Sequence, residues 1–149
     1  MNTEYLPVPI TGKLIPLNEV PDTVFSQKVL GEGFAIKFSG KKVLSPFEGT
    51  VIATFPTGHS VIVRRKDGLE ILMHVGLSSA KKPGAFNCKV KKYQKVLRGQ
   101  LLIEVKPEYF DDSSDYCPIV FSTPNIQVEL TAESPDVEAF DDRAIRITF

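Results

Sequence analysis

The stretch TGHSVIVRRKDGLEILMHVG, residues 57–76, holds both histidines of this 149-residue chain, His59 and His74, on either side of an Asp-Gly pair. SVIVRR and LEILMH read as the two strands of a hairpin around Lys66-Asp67-Gly68. Asp-Gly between apolar runs predicts a two-residue type I′ turn at Asp67 and Gly68. That turn pairs Lys66 with Leu69 and sets His74 opposite Val61 and His59 opposite Gly76. The histidines become diagonal neighbours on one sheet face, roughly 7–8 Å apart at the backbone, over an apolar floor of Val61, Val63 and Leu72. A loop at Lys66-Asp67 would pair them directly. The register between these two would send them to opposite faces.

Outside the hairpin the chain alternates short apolar runs with turn residues. GKLIPL, GFAIKF, GTVIATF, QLLIEV, PIVFST, IQVEL and AIRITF are cut by Gly, Pro, Asp and Asn. This spacing predicts an all-β fold, an antiparallel sandwich or barrel with a few short helical turns. Helical pieces are expected in VPDTVFSQKVL and PEYFDDSS. PITGKLI (residues 9–15) and PFEGTVI (residues 46–52) share the pattern P-x-x-G-x-x-I, which suggests a duplicated β motif.

The length predicts one domain over residues 1–149. Basic and acidic residues balance at 18 each, so no bulk field favours nucleic acid. No apolar run spans a bilayer. The N-terminal segment lacks the basic head and apolar core of an export signal, which predicts a cytoplasmic protein. Cys88 and Cys117 show no metal-ligand spacing and read as reduced thiols.

Two facing imidazoles suit three chemistries. They can bind a metal, usually zinc; they can act as acid and base; or one can carry a phosphoryl group while the other stabilises its charge. Zinc catalysis needs a third ligand, and no HxH or HExxH pattern supplies one, so His59 and His74 are zinc ligands only if a partner or a neighbouring carboxylate completes the site. Acid–base work on a small substrate calls for more polar groups than the pattern offers. Phosphoryl carriage needs less: an accessible neutral imidazole, a donor and an apolar rim for docking.

The ordered motifs VPDTVF, GEGFAI, SPFEGTVIATFPTGHSV, GLEILMHVGLSS and CPIVFST together resemble the glucose-type enzyme IIA components of the bacterial phosphoenolpyruvate-dependent sugar phosphotransferase system. The resemblance covers nearly the whole chain and implies the hybrid-motif β fold. It implies His74 as the phosphorylated nucleophile, His59 as the ring that supports the phosphoryl group, and Thr57 as the hydroxyl that orients His59. Val75 and Gly76 would supply backbone near the phosphoryl group. Val24, Phe25, Val29, Leu30, Phe55 and Leu72 would form the docking rim, with Ser78 at its margin. The implied activity is a phosphotransferase step in carbohydrate uptake: from the histidine phosphocarrier protein to His74, then to a cysteine of a sugar-specific IIB domain. No cofactor is implied. The protein is expected as a monomer that meets the membrane only through the permease.

The chain departs from the family after His74. Ser78 replaces an acidic residue and Ser79 a threonine, the following segment is one residue shorter, and Lys81 and Lys82 stand where acidic or apolar residues are usual. Pro83 stiffens the loop. The change from acidic to basic weakens contact with a basic partner. It points to a divergent carrier, or to a regulatory module of the same fold with weak or lost phosphotransfer. A zinc peptidase of a related fold would need HxH and a further His-Asp pair. A biotinyl or lipoyl carrier, suggested by VLRGQLLIEV, would need a modifiable lysine between methionines.

Overall fold

The computed structural model describes residues 2–149. Among these, the strands in chain order are β1 (Thr3–Tyr5), β2 (Gly12–Pro16), β3 (Gly33–Phe38), β4 (Lys42–Leu44), β5 (Gly49–Thr54), β6 (Ser60–Arg64) and β7 (Glu70–His74), then β8 (Phe86–Cys88), β9 (Lys95–Val96), β10 (Leu101–Val105), β11 (Tyr116–Phe121), β12 (Gln127–Leu130), β13 (Asp136–Val137) and β14 (Ile145–Thr148). They form an antiparallel sheet in the order β13-β2-β3-β11-β7-β6-β5-β9, and two smaller sheets, β1-β14-β12 and β4-β10-β8. The helical content is slight, as the sequence predicts. One helix, α1 (Thr23–Ser26), is capped by the Asp22 carboxylate, which accepts from Val24 N–H at 3.0 Å. The expected longer helix stops there because Lys28 turns left-handed at φ 59°. In PEYFDDSS only Pro107–Tyr109 winds into a 3₁₀ turn.

The large sheet reads alike from both edges. Each side of the central β11–β7 pair carries a hairpin, β2–β3 or β5–β6, then a two-residue strand. The repeated glycines hold matching places: Gly12 pairs with Val137 of β13, and Gly49 with Val96 of β9. A Cβ on Gly12 would meet the Lys37 carbonyl oxygen at 2.4 Å, and one on Gly49 the Arg64 carbonyl oxygen at 2.5 Å. Three residues past each edge valine, Phe140 N–H donates to Val8 O and Gly99 N–H to Ser45 O, both at 2.8 Å. Val8 and Ser45 each directly precede the repeated proline, so the echo P-x-x-G-x-x-I marks a duplicated motif.

Alternation along the strands sorts two cores. Leu14, Phe34, Ile36, Ile71, Met73 and Ile119 face the main core, shared with the smaller sheets. Ile15, Ala35, Val120 and the half-buried Leu72 point the other way, to a second cluster with Leu17, Val20, Phe25 and Leu77. That outer face, covered in part by α1, is the one His74 shares with Leu72.

The hairpin register differs from the expected one. Ser60 lies opposite His74, Val61 opposite Met73 and Arg64 opposite Glu70. The loop has three residues instead of two: Arg65 N–H donates to Leu69 O at 2.7 Å, and Gly68 N–H to Arg65 O at 2.9 Å. Within it only Gly68 has a positive φ, 97°, so the turn is type I closed by a left-handed glycine, a common alternative to I′. Asp67 escapes the strain of positive φ and instead binds Arg65 and accepts from Leu69 N–H. Val61 and Val63 therefore lie in the main core and form no floor beneath the histidines.

Candidate functional site: a paired-histidine cleft

In this register strand alternation alone would part the two histidines, yet their ring centroids lie 4.8 Å apart, nearly perpendicular at 83°. The turn before β6 explains it. Phe55-Pro56-Thr57-Gly58 closes with Gly58 N–H donating to Phe55 O at 2.8 Å, and Gly58 is left-handed at φ 79°. Proline at the second position suits such a turn. His59 follows that glycine, ahead of the first residue of β6, so the face alternation of the strand does not govern its side chain. Its carbonyl still accepts from Val75 N–H at 2.8 Å, which ties the turn to the end of β7.

Aromatic rings fix the pair. Phe25 of α1 lies 5.2 Å from the His74 ring, and Phe55 and Phe86 lie 5.8 and 6.0 Å from His59. Burial lowers the His74 pKa to about 4, with the neighbouring His59 charge second; Asp22 and the Gly76 backbone act against this. Burial also lowers His59. Both rings are therefore neutral near pH 7, and a neutral imidazole keeps the lone pair that a nucleophile needs.

Beyond His74 the backbone is held tightly. Gly76 is left-handed at φ 82°, and a Cβ there would meet Phe110 at 2.3 Å and Ser79 Oγ at 2.7 Å. Ser79, buried, donates its hydroxyl to Val75 O at 2.5 Å. Its hydroxyl thus fastens Val75 and Gly76, the segment expected to lie near a phosphoryl group. Ser78 is exposed and left-handed at φ 57°. Lys81 is exposed, whereas the Lys82 ammonium sits 4.4 Å above the Phe110 ring and 3.3 Å from Ser114 Oγ.

Of the expected rim, Val24, Val29, Leu30 and Phe55 are exposed, by 44%, 67%, 45% and 40%. Leu72 is half-buried. Phe25 is a correction: at 6% exposure it belongs to the second core cluster and cannot serve as open rim. Its helix turns the ring inward against His74. Thr57 is half-buried two residues before His59, but His59 Nδ1 is buried with no hydrogen-bond partner, so the orienting bond is not made in this conformation. The sequence reading missed Phe86, Phe110, Asp22 and Ser60. Only Asp22 carried a readable signal, as a capping residue ahead of Thr23.

Among the described residues, no group of three or more His, Cys, Asp and Glu side chains is placed to hold a metal ion. No helix among them is long and apolar enough to cross a membrane. A neutral ring pair among aromatic side chains, with exposed apolar residues on the neighbouring α1 and the turn before β6, suits a group passed between proteins better than a small substrate.

The family model described as phosphoenolpyruvate-dependent sugar phosphotransferase system, EIIA 1, matches residues 4–126. Among solved structures, the chain is similar to the glucose permease IIA from Mycoplasma capricolum. The two share 30% identity with a TM-score of 0.85, over 97% of this chain and 96% of that one. The family model covers most of the chain and the fold agrees with the structural match, and the chain belongs to the EIIA 1 family of the phosphoenolpyruvate-dependent sugar phosphotransferase system.

Proposed function

We propose that the chain carries a phosphoryl group on His74, accepting it from the histidine phosphocarrier protein and passing it to a cysteine of a sugar-specific IIB domain. The observation that carries this reading is the neutral His74 ring held 4.8 Å from the His59 ring. In the first step a lone pair on His74 forms an N–P bond while the donor's N–P bond breaks, the donor imidazole keeping its electron pair. In the second, a cysteine thiolate forms a P–S bond while the N–P bond to His74 breaks. His59 donates an N–H to the phosphoryl oxygens in both, and Val75 and Gly76 line the same spot. The protein supplies position and electrostatics, the usual contributions to phosphoryl transfer. Val24, Val29, Leu30 and Phe55 give both partners an apolar surface.

The exposed Ser78, where the family has a carboxylate, supports a second reading in which docking to a basic carrier is weak and the role regulatory. The test is incubation with phosphoenolpyruvate, the general enzyme of the system and the phosphocarrier protein, followed by intact mass. One acid-labile phosphoryl adduct per chain is expected. Its absence at every carrier concentration would overturn the carrier reading.

A further inference from the structure

The duplicated motif carries opposite charges at the two edges of the large sheet. Residues 89–100, which hold the edge strand β9, contain Lys89, Lys91, Lys92, Lys95 and Arg98 and no carboxylate. Residues 131–144, which hold the edge strand β13, contain Glu133, Asp136, Glu138, Asp141 and Asp142 against the single Arg143. The backbones match position for position. Val51 N–H donates to Gln94 O at 2.8 Å and Leu14 N–H to Pro135 O at 2.7 Å, just as Val96 pairs with Gly49 and Val137 with Gly12. Lys92 therefore stands where the other half has Glu133, and Lys95 where it has Asp136.

Lys91, Lys92, Lys95 and Arg98 are exposed, as are the five carboxylates. Among the described residues none of these charges sits in an ion pair. The two segments adjoin, since the Arg98 guanidinium lies 5.6 Å from the Phe140 ring and a Cβ on Gly99 would meet the same ring at 3.4 Å. A chain of zero net charge thus has a surface that is basic on one side of this contact and acidic on the other. A second copy turned over by a half-turn about the dividing line sets basic half on acidic half twice, an isologous contact. Because the two halves share one backbone trace, the spacing of the cations matches that of the carboxylates. The basic half also offers apolar side chains: Tyr93 and Leu97 are exposed by 71% and 66%. Tyr93 is left-handed at φ 73°, a conformation that aromatic residues rarely adopt, and the Lys92 ammonium lies 4.9 Å from its ring. The acidic half holds a cleft of about 430 Å³ whose lining includes Tyr5, Ala132, Glu133, Asp136, Asp141 and Ala144. Its apolar walls and carboxylate edge complement an aromatic ring beside a cation.

We propose that the chain associates with a second copy of itself into a closed twofold dimer, with residues 91–98 of each copy seated on residues 133–142 of the other and Tyr93 in the cleft there. The complement of the basic half is on the chain itself, at the matching spacing, which a lipid surface or an unrelated acidic protein does not supply. The contact is held mainly by exposed charges, so it is weak and weakens further with salt. It departs from the monomer that the family resemblance implies, and it stands apart from the carrier reading, because His59 and His74 lie outside both segments.

The test is sedimentation velocity at about 10 mM salt, where charges act over about 30 Å, and at about 1 M, where they act over about 3 Å. Wild type is expected to approach a dimer as concentration rises at low salt, with no larger species, and to return to monomer at high salt. Lys92→Glu with Lys95→Glu, and Glu133→Lys with Asp136→Lys, should each stay monomeric, while a one-to-one mixture of the two doubly reversed chains dimerises. A thermal melt of each variant checks that it is folded before mixing. Tyr93→Ser should raise the dissociation constant by roughly tenfold or more. A wild-type monomer at every concentration, assembly beyond the dimer, or a mixture of folded variants that stays monomeric would overturn the proposal. So would a wild type that stays monomeric yet binds anionic phosphatidylglycerol vesicles through Lys92 and Lys95, which would assign the basic half to a lipid surface. Phosphoryl uptake plays no part in the readout, so failure of the dimer leaves the carrier reading standing.

Discussion

The Phe25 ring lies 5.2 Å from the His74 ring, tilted by 48°, and covers it from one side. Phe25 is buried and Val29 is 67% exposed, although both read alike as rim residues in the sequence. Phe25→Ala is expected to cost about 3–5 kcal/mol, the usual range for a buried phenylalanine, and to raise the His74 pKa as water enters. Val29→Ala should leave stability within about 0.5 kcal/mol. Chemical denaturation and NMR titration of His74 check the pair. Equal costs at the two positions would contradict the placement.

The difference between these residues shows how far the sequence could be read. The apolar runs of β2, β3, β7 and β11 declare themselves, because each is five or six residues long and alternates between two cores. The two-residue strands β9 and β13 carry no period to detect. The Asp-Gly pair announced a turn but not its length, since type I′ and the three-residue form both place glycine at a left-handed position. That one residue changed the register. The nearness of the histidines was foreseen for the wrong geometric reason: the left-handed Gly58, not strand pairing, brings His59 to His74. The resemblance sets Phe25 on the rim with its neighbours, and four helical residues carry too little periodicity to correct it by saying which side faces in.

The protonation of His74 should be visible in stability. Its pKa is about 4 in the folded protein against 6.5 for the free group. Between these values the unfolded chain binds more protons, so stability rises with pH across the window and is lost as pH falls from 6.5 toward 4. The contribution is at most about 3.4 kcal/mol, and His59 adds in the same direction. Urea midpoints measured from pH 4 to 7 should depend less on pH in His74→Gln than in wild type. An unchanged pH dependence would contradict a half-buried neutral ring.

Arg65 ties the histidine hairpin to both chain ends. Its guanidinium donates two bonds to Glu4, both at 2.8 Å, and two to Asp67, and lies 5.5 Å from the Phe47 and Phe149 rings. Lysine keeps the charge but cannot make both forks. Arg65→Lys should cost about 1–3 kcal/mol and speed amide exchange in β1 and β14, with phosphoryl uptake unchanged. Unaltered exchange in those strands would refute the tie.

The central claim is that the two neutral rings divide the labour, His74 carrying and His59 supporting. Intact mass after incubation with the phosphorylated carrier protein, compared among wild type, His74→Gln and His59→Gln, tests it most directly. An acid-labile adduct on wild type and on His59→Gln, absent from His74→Gln, is the result expected, with onward transfer slowed in His59→Gln. An adduct that persists in His74→Gln would contradict it.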